Sequence, residues 1–265
     1  EFGKTNPDID VQFDDSPGDW YQKLQLQIAS GTPPDAMFES AGTLGSSYRN
    51  KIVDPVDAYL AKTKDFTEDA FDKASWFAET YAGKRWGLPW DSGACAVDFN
   101  IDAFNAAKVP LPKPSERWTW DQLLDAAQKL TVDLDGKHPG DGGFNPGRIK
   151  QFGFSTNYSW GLMRFIFGNG GEPLTGSLDA PQVPFDTDAV IGGVQWLADL
   201  AHKYHVMPDP GFTQSTPISF GGKNIGMNDD GVWSMGRVNQ SGVNWGVMPF
   251  PKGSVEVTYG HYSPL

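Results

Sequence analysis

Between Ile9 and Ser40 the chain passes from a short alternating run, through a helical stretch, to a second short apolar run, and this succession constrains the fold more than any other feature. Ile9, Val11 and Phe13 alternate with polar residues, as a half-buried strand requires. From Asp19 the segment DWYQKLQLQIASG sets Trp20, Leu24 and Ile28 at helical spacing and ends on Gly31, a residue suited to a helix C-terminus. TPPDAMFES then reads as a turn and a short buried strand. Strand, helix and strand within about thirty residues make a βαβ unit, which predicts a parallel sheet with ligands at the carboxyl ends of its strands. Glu39 and Ser40 stand at such an end.

The alternation continues along the chain. LGSSYRNK, PVDAYLAKT and TEDAFDKASWFAETY read as helices, the last opening on Thr67 with acids in its first turn. GKRWGLP turns into the strand that ends on Asn100. TWDQLLDAAQKLT (119–131) is a helix with Thr119 as its N-cap, a Gly/Pro/Asp-rich loop covers 133–148, and QFGFST (151–156) is a strand. YSWGLMRFIFGNGG (158–171) reads as an apolar helix. DTDAVIGGVQWLADLAHKYHV (186–206) is the clearest amphipathic helix, with Val190, Val194, Leu197, Ala198 and Ala201 on one face. NWGVMPFPKG is a strand stopped by prolines. The fold class is α/β throughout, and 265 residues suffice for one large core or two modest lobes. The Ala94–Asn100 strand lies where the first block of elements gives way to the second, so we expect it to cross between lobes. The opening residues read as the last turn of a helix and EVTYGHYSPL as a strand just begun, so the sequence is expected to be part of a longer protein.

Several function classes fall away. A net charge of −12, with 21 basic residues against 33 acids, excludes tracking of a phosphate backbone, so no nucleic acid is expected. The single cysteine, Cys95, offers no internal disulfide and sits between alanines as a small buried hydrophobe. No window of about 18 apolar residues exists to span a bilayer, and no signal-peptide pattern opens the chain. Histidines 138, 202, 205 and 261 are scattered, DLDGKHPGDGG (133–143) misses the spacing of a calcium loop, and FGGKNIG lacks the phosphate-loop pattern. Asn157 and Asn239 fit the glycosylation acceptor pattern, which chance produces often, and no Gly-x-Ser-x-Gly elbow is present. We therefore expect no metal, no cofactor and no catalytic residues.

What remains is aromatic. Ten tryptophans contribute to a 13% aromatic content, and many stand beside polar residues at the ends of elements. Tyr21, Trp90, Tyr158, Trp160 and Trp233 each adjoin a Gly, Asp, Ser or Asn at a turn or helix start. An aromatic plane flanked by hydrogen-bonding groups matches the two-sided character of a pyranose ring. Glu39, Asp91 and Asp230 are placed to accept from vicinal hydroxyls. Competing structural roles stand beside these: packing for Tyr21, Trp90 and Trp160, and helix capping for Glu39. Trp76, Trp86, Trp118, Trp120, Trp196 and Trp245 read as core.

Taken in order, NPDIDVQF, DWYQKLQLQIASGTPPDAMFES, GKRWGLPWDSGACAVDFNIDAF, WTWDQLLDAAQKLT, QFGFS, VQWLADLAHKYHVMP, FGGKNIGMNDDGVW and WGVMPFPKG resemble the solute-binding proteins of ATP-binding cassette sugar importers, of the maltodextrin- and glycerol-phosphate-binding type. The resemblance implies a two-lobed, hinged α/β fold with an interlobe ligand cleft, the first lobe at about 1–99 plus 254–265 and the second at about 100–253. It maps first-lobe contacts onto Tyr21, Glu39, Asp91 and Ser92, with Trp90 beside them, and second-lobe contacts near Tyr158, Trp160, Asp230 and Trp233. Gly260 and His261 match the return segment that touches ligand. Implied too are a carbohydrate ligand, a permease partner, a monomer without enzymatic activity, and a periplasmic or extracellular setting with or without a lipid anchor. The family pattern also extends before residue 1 and beyond residue 265, and a first lobe without those strands would expose apolar edges. Two alternatives stay open: a glycerophosphate or other charged solute, and a carbohydrate-active hydrolase for which Asp91 and Asp230 would be the carboxylate pair.

Overall fold

The computed structural model describes residues 2–14, 20–39, 41–64, 66–177, 180–257 and 260–264. The chain divides into two compact units, Glu1–Asp91 with Ser263–Leu265, and Ser92–Tyr262.

The first unit holds helices α1 (Phe2–Thr5), α2 (Trp20–Ala29), α3 (Ala41–Arg49), α4 (Asp57–Leu60) and α5 (Lys73–Ala78), and a hairpin of β1 (Thr80–Tyr81) with β2 (Lys84–Arg85). The two runs expected as strands do not form them: residues 9–14 and 36–39 carry no ladder, and Phe13 is 91% exposed. An alternating pattern says which side chains a strand would bury. The strand itself exists only where a neighbouring strand takes up its N–H and C=O groups in a ladder, and no described segment forms one here. The parallel sheet expected of this unit is therefore absent among the described residues, and Ser40 and Asp19 lie outside them.

The helix expected from Thr67 is also broken. Thr67 caps a single 3-10 turn, Glu68–Ala70, and Asp72 then accepts from Ala74 N and Ser75 N to start α5 afresh. The break at Phe71 lets its ring stack on Trp76, centroids 5.3 Å apart, with Phe66 against both. An Asp side chain competing for backbone N–H groups ends one helix and opens the next.

The second unit is built on a six-stranded sheet ordered β10-β3-β8-β5-β4, with β9 also paired to β3. Its strands are β3 (Pro89–Asn100), β4 (Val132–Asp133), β5 (Ile149–Ser155), β8 (Ile225–Gly231), β9 (Trp245–Met248) and β10 (Gly260–Pro264); β6 (Thr175–Ser177) and β7 (Ala180–Gln182) form a separate hairpin. β3 begins in the first unit and ends in the second. It runs antiparallel to β8 and β9, whereas β5 and β8 are parallel, so the sheet is mixed.

Local signals account for the helices. Asn100 accepts from Ala103 N and starts α6 (Ile101–Ala106). Thr119 and Gln122 form a reciprocal capping box at the head of α7 (Trp120–Leu130). Thr187 caps α9 (Asp188–His202). The buried face of α9 is Val190, Gly193, Leu197, Leu200 and Ala201, whereas Val194, expected inside, is 39% exposed. The helix is rotated because Gly193 lies against the backbone of α8 (Trp160–Gly168): a β-carbon there would stand 2.6 Å from Ile166 Cα. That close crossing, with Phe154, Phe165, Met227 and Leu123 packed around it, forms the main core. Trp118 is buried and Trp120 stacks on Trp196, centroids 5.3 Å apart, as core residues.

Candidate functional site

β5 and β8 are neighbours and parallel, with Ser155 opposite Asn228, so their carboxyl ends emerge side by side. Each end leads straight into a tryptophan. After β5 the Asn157 side chain accepts from Ser159 N and turns the chain into α8, whose first residue is Trp160. After β8, the 3-10 turn Val232–Ser234 carries Trp233, closed by Ser234 Oγ donating to Gly231 O at 2.9 Å. The two indoles meet edge to face, centroids 6.1 Å apart and planes at 89°. Trp233 is 49% exposed and Trp160 half-buried.

At the root of this corner Asp230 accepts from Gly231 N at 2.8 Å and from Asn228 Nδ2 at 3.4 Å. Asp229 points to the other face of the strand and is fully buried, paired with the buried Arg164 and accepting from Thr156 Oγ1 at 2.7 Å. Burial pushes the Asp229 carboxyl up and Arg164 opposes that shift. Asp98, opposite Asn228 on β3, is also buried, and its pKa is pushed up to about 7 by burial and then by the charges of Asp230 and Asp229. Tyr158 lies just before the corner; its hydroxyl donates to Pro208 O at 2.7 Å, and burial raises its pKa. The Cys95 thiol, half-buried, is likewise pushed up by burial.

The remaining expected site residues fall in the first unit or the strands that leave it. Trp90 is 60% exposed and meets Phe38 edge to face, centroids 5.1 Å apart. Asp91 is exposed beside it. Glu39 is buried and accepts from the buried Ser47 hydroxyl. Tyr21 is half-buried on α2. Ser92 lies in β3, and Gly260 and His261 in β10; their side chains fall outside the described structure.

Two groups went unseen in the sequence. Phe38 joins Trp90 in an aromatic pair 52 residues apart, a separation no local pattern spans. Glu79 is fully buried, with no hydrogen-bond partner for either carboxyl oxygen among the described residues. Its pKa is raised to about 7 by burial, with Arg85 opposing and Glu39 adding to the rise. Arg85 itself is spent on Trp76 O, Thr80 Oγ1 and the Trp76 ring.

No group of three metal-ligating side chains occurs among the described residues. Asp133, in the loop weighed as a calcium site, instead accepts backbone N–H groups from Lys137, Asn145 and Asp135, which lower its pKa and fix the loop. No described helix is long and apolar enough to cross a membrane.

A sheet unit that presents aromatic planes and a carboxylate at the ends of parallel strands, attached to a second unit by a continuous strand, defines a two-lobed α/β binding protein. The family is established by its sequence model: residues 1–262 match the bacterial extracellular solute-binding protein family, and the chain belongs to it. The chain is similar over 257 residues to a maltotriose-binding protein of Pyrococcus abyssi, 22% identical, covering 95% of this chain and 49% of the relative. A lipoprotein of Streptomyces antibioticus is 24% identical over 135 residues, 49% of this chain and 29% of that one. Among solved structures, an ABC substrate-binding protein of Listeria monocytogenes in complex with cycloalternan has a TM-score of 0.85 at 24% identity, covering 99% of this chain and 64% of the other. The chain thus spans about a third to a half of the length of the curated relatives it matches.

Proposed function

We propose that this chain belongs to a non-enzymatic, exported binding protein that captures a mono- or oligosaccharide by closure of its two lobes and delivers it to an ABC-importer permease. The observation that carries the reading is the right-angled Trp160–Trp233 corner with Asp230 at its root. One indole offers a stacking face while the other walls the ligand, and the carboxylate accepts from hydroxyls. Tyr21, Glu39, Trp90, Asp91 and Ser92 would serve the ligand from the first lobe, and Tyr158, Trp160, Asp230, Trp233, Gly260 and His261 complete the set. The lobes in this reading are about 1–99 with 254–265, and 100–253, with β3 running from one into the other. A ligand touching both lobes favours closure by its differential contacts. Family membership supports a periplasmic or extracellular setting, and the Streptomyces lipoprotein supports an anchored form. The protein acts as a monomer.

A thermal-shift panel of sugars, sugar phosphates and polyols on the full-length protein tests this. Stabilisation by a carbohydrate is the expected result. A shift with sugar phosphates alone would favour the charged-solute alternative, and product formed on long incubation with oligosaccharides would replace transport with hydrolysis.

A further inference from the structure

We propose that Arg164 is a positioning residue for the sugar platform: from a buried site it locks the helix bearing Trp160 to the strand end bearing Asp230 and Trp233, and so holds the two indoles at right angles. The inference rests on the carbohydrate reading above and adds a residue that touches no ligand.

Arg164 lies four residues after Trp160, on the same side of α8, and its guanidinium carbon stands 4.7 Å from the Trp160 ring centroid. Phe250 covers it at 5.2 Å. The side chain is 1% exposed, and so is enclosed as completely as the main-core phenylalanines. Its charge is met by Asp229, which also accepts from Thr156 Oγ1. Thr156 stands at the start of the turn into Trp160, and Asp229 immediately precedes Asp230 and lies four residues before Trp233. One buried network therefore grips both carriers of the aromatic corner.

Stability alone is a poor reason for such a pair. Drawing two charges out of water is costly, and apolar residues of similar volume commonly fill such a space as well or better. What they do not supply is direction. A planar guanidinium can lie against an indole while its edge meets a carboxylate, and that double constraint fixes ring orientation in a way an ammonium does not.

The test compares the full-length wild type with Arg164→Lys and with the double variant Arg164→Met/Asp229→Leu, which removes both charges together. Maltotriose and mannotriose are titrated calorimetrically, and thermal midpoints are recorded in parallel. A purely structural role moves the midpoint, and restoring the midpoint restores binding. The proposal expects the double variant to keep a midpoint near wild type yet bind about tenfold more weakly, with Arg164→Lys several-fold weaker. Wild-type affinity in the double variant overturns it. A second readout needs no ligand: acrylamide quenching of Trp233, isolated by difference from Trp233→Phe, is expected to change in the double variant as the rings separate. If the wild type binds neither sugar, the carbohydrate reading suffers, and the quenching still decides the positioning role: an unchanged quenching constant sinks it.

Discussion

The indole of Trp233 lies across the Cα of Gly231, so close that a β-carbon there would stand 2.2 Å from the ring. Gly231 has an extended backbone, φ −128° and ψ 171°, that any residue adopts, so alanine there strains only the contact with the indole. We expect Gly231→Ala to swing Trp233 out of its right angle with Trp160 and weaken carbohydrate binding about tenfold, the loss of one stacking contact of roughly 1–1.5 kcal/mol. Trp233→Ala should cost about as much, and the double variant no more than either. Calorimetric titration of the three variants checks this, and full affinity in Gly231→Ala would remove Trp233 from the platform.

Asp98 gives the unit a pH signature. Its folded pKa, about 7, lies above its ordinary value of 3.8 because burial and the neighbouring Asp230 and Asp229 disfavour its charge. A carboxyl raised in this way favours the fold most fully below its unfolded pKa, and that contribution is lost as pH rises through 7. Asp98→Asn removes the titration, so its stability relative to wild type should grow by roughly 4 kcal/mol between pH 4 and pH 8. Denaturant midpoints at several pH values read the difference; parallel curves would mean that Asp98 does not titrate there.

At the head of α7 the reciprocal bonds between Thr119 and Gln122 satisfy two N–H groups that the helix leaves open. Thr119→Ala should cost about 1 kcal/mol in urea unfolding, whereas Thr119→Ser should be nearly neutral. Sugar affinity should not change in either variant.

Gly193 allows α9 to rest on the backbone of α8, and α8 carries Trp160. Gly193→Ala forces the helices apart and should cost roughly 1–3 kcal/mol. Because the displaced helix begins with Trp160, carbohydrate affinity should fall along with stability, which thermal melts and titration measure separately. A stability loss with unaltered affinity would place the displacement away from the ligand corner.

These cases also show which features the sequence made legible. Thr119 caps by reaching three residues onward, and the sequence reading finds it; Asn100 and Thr187 cap in the same local way, though only the structure brings them out. The face of α9 is harder: counting apolar side chains selects Val194, whereas the helix turns on Gly193, a residue whose role is the absence of a side chain. The runs at 9–13 and 36–40 carry a strand's pattern, but strand formation is settled by partners elsewhere in the chain. At the corner, Trp233 and Asp230 stood out as turn residues. Arg164 stands at helical spacing from Trp160, yet its meaning depends on Asp229, 65 residues away and on the buried face of a strand whose next residue points the other way.

β3 enters the second unit first and pairs last. Cys95 waits for Gly231, and Val97 for Met248, so almost the whole unit must be made before the strand at its centre is secured. Closing so long a loop precedes the reward for closing it, which makes this pairing a slow step and leaves β3 an open template until then. The segment that runs from one unit into the other thus stays unpaired until its distant partners arrive.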